Sequence, residues 1–188
     1  ANTLSADGRW DEALTRYLAL AAESKDPDQK VTANLAASDV MIQLGRGQEA
    51  VNLLESQIED LDPDGWKFKD IRRRIESIFR DRDDLAGLAS YYDAWVKAHP
   101  EDVDAMARLP RTLSLQNKTA EASNWYRKAI ALAPSNVSLR ESLIEQLVRD
   151  NQLADAIAQY EDMSKFDDGN QDHIEKWGLL ILNQKDVS

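Results

Sequence analysis

The chain has 188 residues and a formal net charge of −11, with 43% hydrophobic and 30% charged residues but only 7 Gly and 5 Pro. These proportions fit a soluble, helix-rich protein, and the acidic balance repels a phosphate backbone or an anionic membrane surface, which excludes general nucleic-acid binding. No run of 18 apolar residues occurs, so no membrane insertion is expected, and with no cysteine there is neither disulfide nor thiolate chemistry, which fits a reducing compartment without requiring one.

In chain order, the first residues, ANTLSADGRW, lack the basic-then-apolar pattern of a secretion signal. GRWDEALTRYLALAAESKDP (8–27) and GRGQEAVNLLESQIEDLDP (45–63) share the form G-x-x-x-E-A-[LV], and Gly8 and Gly45 stand 37 residues apart. DPDGWKF then reads as an insertion. Its overlap with DLDPDG (60–65) sets Asp60, Asp62 and Asp64 at alternate positions before Gly65, as a calcium loop does. The twelfth position of such a loop is Ile71, however, and Pro63 interrupts it, so a helix end followed by a turn is expected and no metal is assigned.

DIRRRIESIFRDRDD (70–84) follows, with Arg72, Arg73, Arg74, Arg80 and Arg82 crowded among acids. The pairs Asp70 with Arg73 or Arg74 and Glu76 with Arg80 have helical i, i+3 or i, i+4 spacing. Arg72, Arg74 and Arg82 are read as partners of the acids beside them. In 103–115, Val103, Met106, Ala107, Leu109, Leu113 and Leu115 form a largely one-sided apolar stripe. NKTAEASNWYRKAIALAPSN (117–136) superimposes on NQLADAIAQYEDMSKFDDGN (151–170), with Asn117 on Asn151, Ala122 on Ala156 and Tyr126 on Tyr160, each 34 residues apart. Tyr92 precedes Tyr126, and Pro100 precedes Pro134, by the same 34. Breaks fall at Gly45, Pro63, Pro100, Asn117, Pro134 and Asn151, where helices should stop. A lone pair of short helices cannot bury its apolar face but stacked pairs can, so the period implies a solenoid.

The pattern resembles the tetratricopeptide repeat family, whose 34-residue helix-turn-helix unit has a turn glycine, a small residue early in its second helix, an aromatic four later and a closing proline. Gly45, Ala50, Leu54 and Pro63 follow it in one unit; Ala122, Tyr126, Ala129 and Pro134 in another; Ala156 and Tyr160 in a third. The unit at 69–100 departs from it, with Leu88 at the small-residue position and Asp83 at the turn. The resemblance implies an all-α fold, an α-solenoid of antiparallel helix pairs wound as a right-handed superhelix. The domain expected is one array over 1–188: a partial repeat at 1–27, repeats at about 30–63, 69–100, 103–134 and 137–168, and a half repeat at 171–184, the whole a segment of a longer protein.

The resemblance further implies a concave groove lined by the first helices of successive units. Repeat phase then selects Arg73, Ser77, Arg80, Arg111 and Arg149 as ligand-binding candidates. Convergent guanidiniums suit carboxylates, so the expected partner is a protein or peptide carrying acidic groups, or a chain terminus. The lysine and asparagine clamp of the family is missing, because the corresponding pairs read Leu35/Asp39, Arg73/Ser77, Ala107/Arg111 and Glu141/Glu145. The apolar WGLLIL (177–182) suggests self-association through the last helix.

No catalytic constellation emerges. His99 and His173 lie far apart; His99 caps a helix end before Pro100, and His173 reads as a first-turn surface residue. Phosphate-loop, dinucleotide and zinc-protease motifs are missing from the sequence. Trp10, Trp95, Trp125 and Trp177 are read as core and Trp66 as the freest of the five tryptophans. The function expected is a non-catalytic protein-interaction scaffold, with no cofactor; the alternative is a structural spacer or accessory repeat domain of a larger multidomain enzyme.

Overall fold

The computed structural model describes residues 8–59, 61–166 and 169–187, among which ten α-helices and no strand occur. They are α1 (Trp10–Glu23), α2 (Pro27–Gln43), α3 (Gly47–Ile58), α4 (Trp66–Asp81), α5 (Leu85–Ala98), α6 (Val103–Leu115), α7 (Thr119–Leu132), α8 (Val137–Arg149), α9 (Leu153–Met163) and α10 (Gln171–Val187). No helix of the described residues is long and apolar enough to cross a membrane.

Local chemistry places the helix ends. Asp102 and Asn136 cap α6 and α8, their side chains accepting from the N–H groups of Ala105 at 2.8 Å and Leu139 at 3.2 Å. Asn170, a further 34 residues on, accepts from the His173 N–H at 3.4 Å. The turns after α2, α4, α6 and α8 repeat one geometry. Gly45, Asp83, Asn117 and Asn151 all have positive φ, from 54° to 72°. In each turn the next residue donates its N–H five residues back, Arg46 to Met41, Asp84 to Phe79, Lys118 to Leu113 and Gln152 to Leu147, at 2.8–2.9 Å. This left-handed cap satisfies carbonyls that the helix leaves without donors. The departure at Asp83 is therefore one of residue type alone; its backbone takes the same left-handed turn.

The chain forms two compact units, Ala1–Asp84 and Leu85–Ser188. In the first, each helix packs on its sequence neighbour and α2 also packs on α4. Its core holds Leu54, Ile58, Ile71 and Ile75, all fully buried. In the second, consecutive helices from α5 to α10 pack in sequence order around Tyr92, Leu109, Leu143, Leu147 and Met163. Truncating a fully buried leucine such as Leu143 to alanine costs about 2–5 kcal/mol, through lost transfer energy and the cavity left behind. Trp10, Trp95, Trp125 and Trp177 are half-buried rather than fully enclosed, whereas Trp66 is 67% exposed. The Trp95 indole donates to Asp102 at 2.8 Å, tying a second helix to the cap of the next first helix.

The DLDPDG stretch is a turn around Asp62, whose side chain accepts from the Asp64 N–H at 3.0 Å while its carbonyl accepts from the Gly65 N–H at 2.9 Å. Asp60 lies outside the described residues.

Candidate functional site

In the first unit, α1, α2 and α4 enclose a cleft of about 530 Å³ lined by Trp10, Tyr17, Asp39, Arg74, Ser77 and Asp81, among others. Across it Arg74 Nη1 meets Asp39 Oδ1 at 2.7 Å, so Arg74 pairs with a neighbouring helix rather than with Asp70 in its own. Burial pushes the Asp39 carboxyl above its ordinary range, Arg74 opposes the rise, and Asp70 adds to it. Ser77 Oγ donates to Asp81 at 3.2 Å. Arg73 and Arg80, 69% and 58% exposed, are not among the cleft residues: Arg73 donates to Asp70 at 2.9 Å, and Arg80 pairs with the buried Glu76. Arg72 is only 2% exposed, its guanidinium over the Phe68 ring at 4.4 Å. The amphipathic arc of α4 turns that position inward.

In the second unit, α6, α8 and α10 are the first helices. Arg111 on α6 and Arg149 at the end of α8 are exposed, and among the described residues neither forms an ion pair. Both lie within electrostatic reach of the buried Tyr126 hydroxyl. Burial raises that hydroxyl above the ordinary phenol range; Arg111, a hydrogen bond with Ser142, and Arg149 oppose the rise, and Glu145 adds to it. The structure thus gathers Arg111, Ser142, Glu145 and Arg149 around one tyrosine. Of these, the sequence reading selected only the two arginines.

His173 is corrected. It does begin α10, but its side chain is buried, with Nε2 2.9 Å from Glu141 Oε1 and its ring 6.1 Å from that of Tyr160. The carboxylate lies 32 residues earlier, so spacing within α10 carries no sign of it. One repeat earlier, Ser114 Oγ donates to Gln146 Oε1 at 2.6 Å, another contact 32 residues apart. Between α8 and α10 a cavity of about 470 Å³ is lined by Ile144, Glu145, Val148, Arg149, Tyr160, Lys176, Leu179 and Leu180, with α9 supplying the tyrosine. Sequence reasoning missed this cavity. The signal that finds it is a comparison of residues 34 apart on facing helices.

Comparison with known proteins gives consistent findings. The family model described as tetratricopeptide repeat matches residues 1–31. Tetratricopeptide repeat protein 21B of Mus musculus is 33% identical over 82 residues, or 44% of this chain, and the chain spans 6% of that relative's length. Among solved structures, TTC0263, a thermophilic TPR protein of Thermus thermophilus, superimposes with a TM-score of 0.53 at 19% identity, over 96% of this chain and 94% of that one. YrrB, described as a TPR protein with an unusual peptide-binding site, gives 0.51 at 14% identity over 98% and 88%. MamA of Desulfovibrio magneticus RS-1 gives 0.54 at 19% identity over 90% and 92%.

Proposed function

We propose that this chain, which is similar to tetratricopeptide repeat proteins, is a non-catalytic scaffold binding a protein or peptide with acidic groups on the first helices of its second unit. The observation that carries the reading is the pair Arg111 and Arg149, exposed and without ion pairs among the described residues, both within electrostatic reach of the buried Tyr126. Of the other arginines discussed, Arg73, Arg74 and Arg80 are each engaged by an acid. A guanidinium left without a protein carboxylate is the group best suited to take one from a ligand. Within the first unit taken by itself, the candidates are Arg73, Ser77 and Arg80. Exposed pairs such as Arg73–Asp70 are worth about 0–1 kcal/mol, so a ligand carboxylate can replace the internal partner at small cost. The 34-residue phase from Arg72 through Met106 and Arg140 to Ile174 supports reading 1–188 as one repeat series. The peptide site of YrrB, a protein of like fold, is a further support.

The test is selection of random peptides on the unmodified chain, followed by affinity measurements on synthetic copies. Enriched peptides should lose about tenfold or more in affinity on Arg111→Glu/Arg149→Glu. They should be indifferent to Arg127→Glu/Lys128→Glu on the second helix α7. Failure to enrich any peptide, or equal binding to both variants, overturns the reading.

A second reading, self-association through α10, is favoured by Ile174, which is 48% exposed although Met106 and Arg140 at the equivalent positions of the same unit are 6% and 8% exposed. Leu182, on the same side of the helix, is 60% exposed.

A further inference from the structure

Positions 34 residues apart occupy the same place in successive repeats, so Val148 corresponds to Ser114 and Leu180 to Gln146. Between α6 and α8 the two positions are bridged by the 2.6 Å Ser114–Gln146 hydrogen bond. Gln146 is buried, and its amide donates onward to Asp150 at 3.2 Å. That chain of polar groups links the two first helices across their seam. Between α8 and α10 the same positions carry Val148 and Leu180, which cannot hydrogen-bond, and the 470 Å³ cavity opens there. Its volume falls within the range of pockets that enclose small ligands. Ile144, Val148, Leu179 and Leu180 make the lining predominantly apolar. Val148 and Leu179 are 39% and 62% exposed, a patch whose cover the described residues do not supply.

The charged residues of the lining decide what kind of cover fits. Two are cations, Arg149 and Lys176, neither of which forms an ion pair among the described residues; one, Glu145, is an acid. The neighbouring Glu141 is engaged by His173. An apolar trough with unpaired cations at its rim matches a segment that presents a large apolar side chain next to a carboxylate.

We propose that the α8–α10 cavity is a docking pocket for the aliphatic or aromatic side chain of an acidic peptide segment, with Arg149 and Lys176 pairing the carboxylate beside it. The proposal rests on the first-helix reading above and deepens it, naming the place where the partner is anchored and the residues that anchor it. The seam between α6 and α8 is bridged by its own polar pair; at the same positions the seam between α8 and α10 carries apolar side chains beside the cavity.

The neighbouring seam supplies a variant that the fold already accommodates. Val148→Ser combined with Leu180→Gln writes the Ser114–Gln146 pair into the second position. Peptides enriched on the unmodified chain are compared by fluorescence anisotropy on this double variant, with circular dichroism verifying its helicity and midpoint. Affinity should fall about tenfold, in the range of a lost anchor residue. A peptide whose apolar anchor is replaced by serine should bind both proteins equally. Arg149→Glu/Lys176→Glu should weaken the parent peptide and recover binding to a copy whose acid is replaced by lysine. Unchanged affinity on Val148→Ser/Leu180→Gln overturns the pocket. If those same peptides still weaken on Arg111→Glu/Arg149→Glu, the first-helix reading survives alone; if they ignore that variant too, both fall. Should the double variant disperse a concentration-dependent dimer without touching peptide affinity, the occupant is a second copy and the acidic-peptide proposal is overturned. Should it fail to fold, the charge-swap pair decides by itself: no recovery with the lysine peptide overturns the pocket.

Discussion

The fate of each arginine follows from what lies one helical turn away and what lies on the next helix. Arg73 and Arg80 have an acid three or four residues earlier, Asp70 and Glu76, and pair with it. Arg111 has Ala107, Arg108, Ser114 and Leu115 at those spacings and pairs with none. Arg149 has Glu145 four residues earlier and still forms no ion pair among the described residues, which leaves it available to a ligand. Arg74 reaches across to Asp39, and this pair has a measurable signature. Because burial outweighs the Arg74 attraction, the folded chain binds the Asp39 proton more tightly than the unfolded chain does. Stability from this group is therefore greatest at low pH and declines as pH rises from the ordinary carboxylate value through the folded one, and is flat above it. Carboxyl titration by NMR should give Asp39 a raised pKa, and Arg74→Gln should raise it further. An unshifted or lowered value in the unmodified chain would contradict the burial argument.

At the scale of the element, the repeat is written in its turns. Gly45, Asp83, Asn117 and Asn151 take the left-handed conformation, although only the first is a glycine. Asn and Asp tolerate that region better than other L-residues, and the six-to-one hydrogen bond of the turn supplies the rest. At Gly45 an added Cβ would meet nothing within 4 Å, so substitution there tests the backbone alone. Gly45→Ala should destabilise by about 1 kcal/mol, read as a lower midpoint in thermal unfolding, whereas Asn117→Gly should leave the midpoint unchanged or raise it slightly. Equal midpoints for Gly45→Ala and the unmodified chain would mean that the turn relaxes out of the left-handed region.

At the scale of the whole molecule, the face of α10 bearing Ile174 and Leu182 stands out, because the positions equivalent to Ile174 are covered in the preceding repeats of its unit. If this face brings copies together, light scattering should show a mass that rises with concentration, and Ile174→Glu/Leu182→Glu should return the chain to a monomer. A monomeric unmodified chain at high concentration would remove the self-association reading. It would leave the α8–α10 pocket untouched, since that pocket is lined by Lys176, Leu179 and Leu180 of this helix and not by Ile174 or Leu182.

What the sequence determined by itself is the all-α class, the 34-residue period, and the turns that punctuate it. Gly45, Asn117, Asn151 and the cap residues act on backbone within a few residues, so their letters carry the information directly. The isolation of Arg111 from acids is legible in the same way. Tertiary structure decided which side chains lose water and which meet. Arg72 disappears against Phe68, His173 finds Glu141, and Ser114 finds Gln146, contacts that depend on which helix lies alongside. Val148 and Leu180 stand at the places equivalent to that last pair, but only packed helices bring them together in the lining of one cavity. Burial and hydrogen bonding between helices are properties of neighbours in space, and neighbours in space are what the fold supplies.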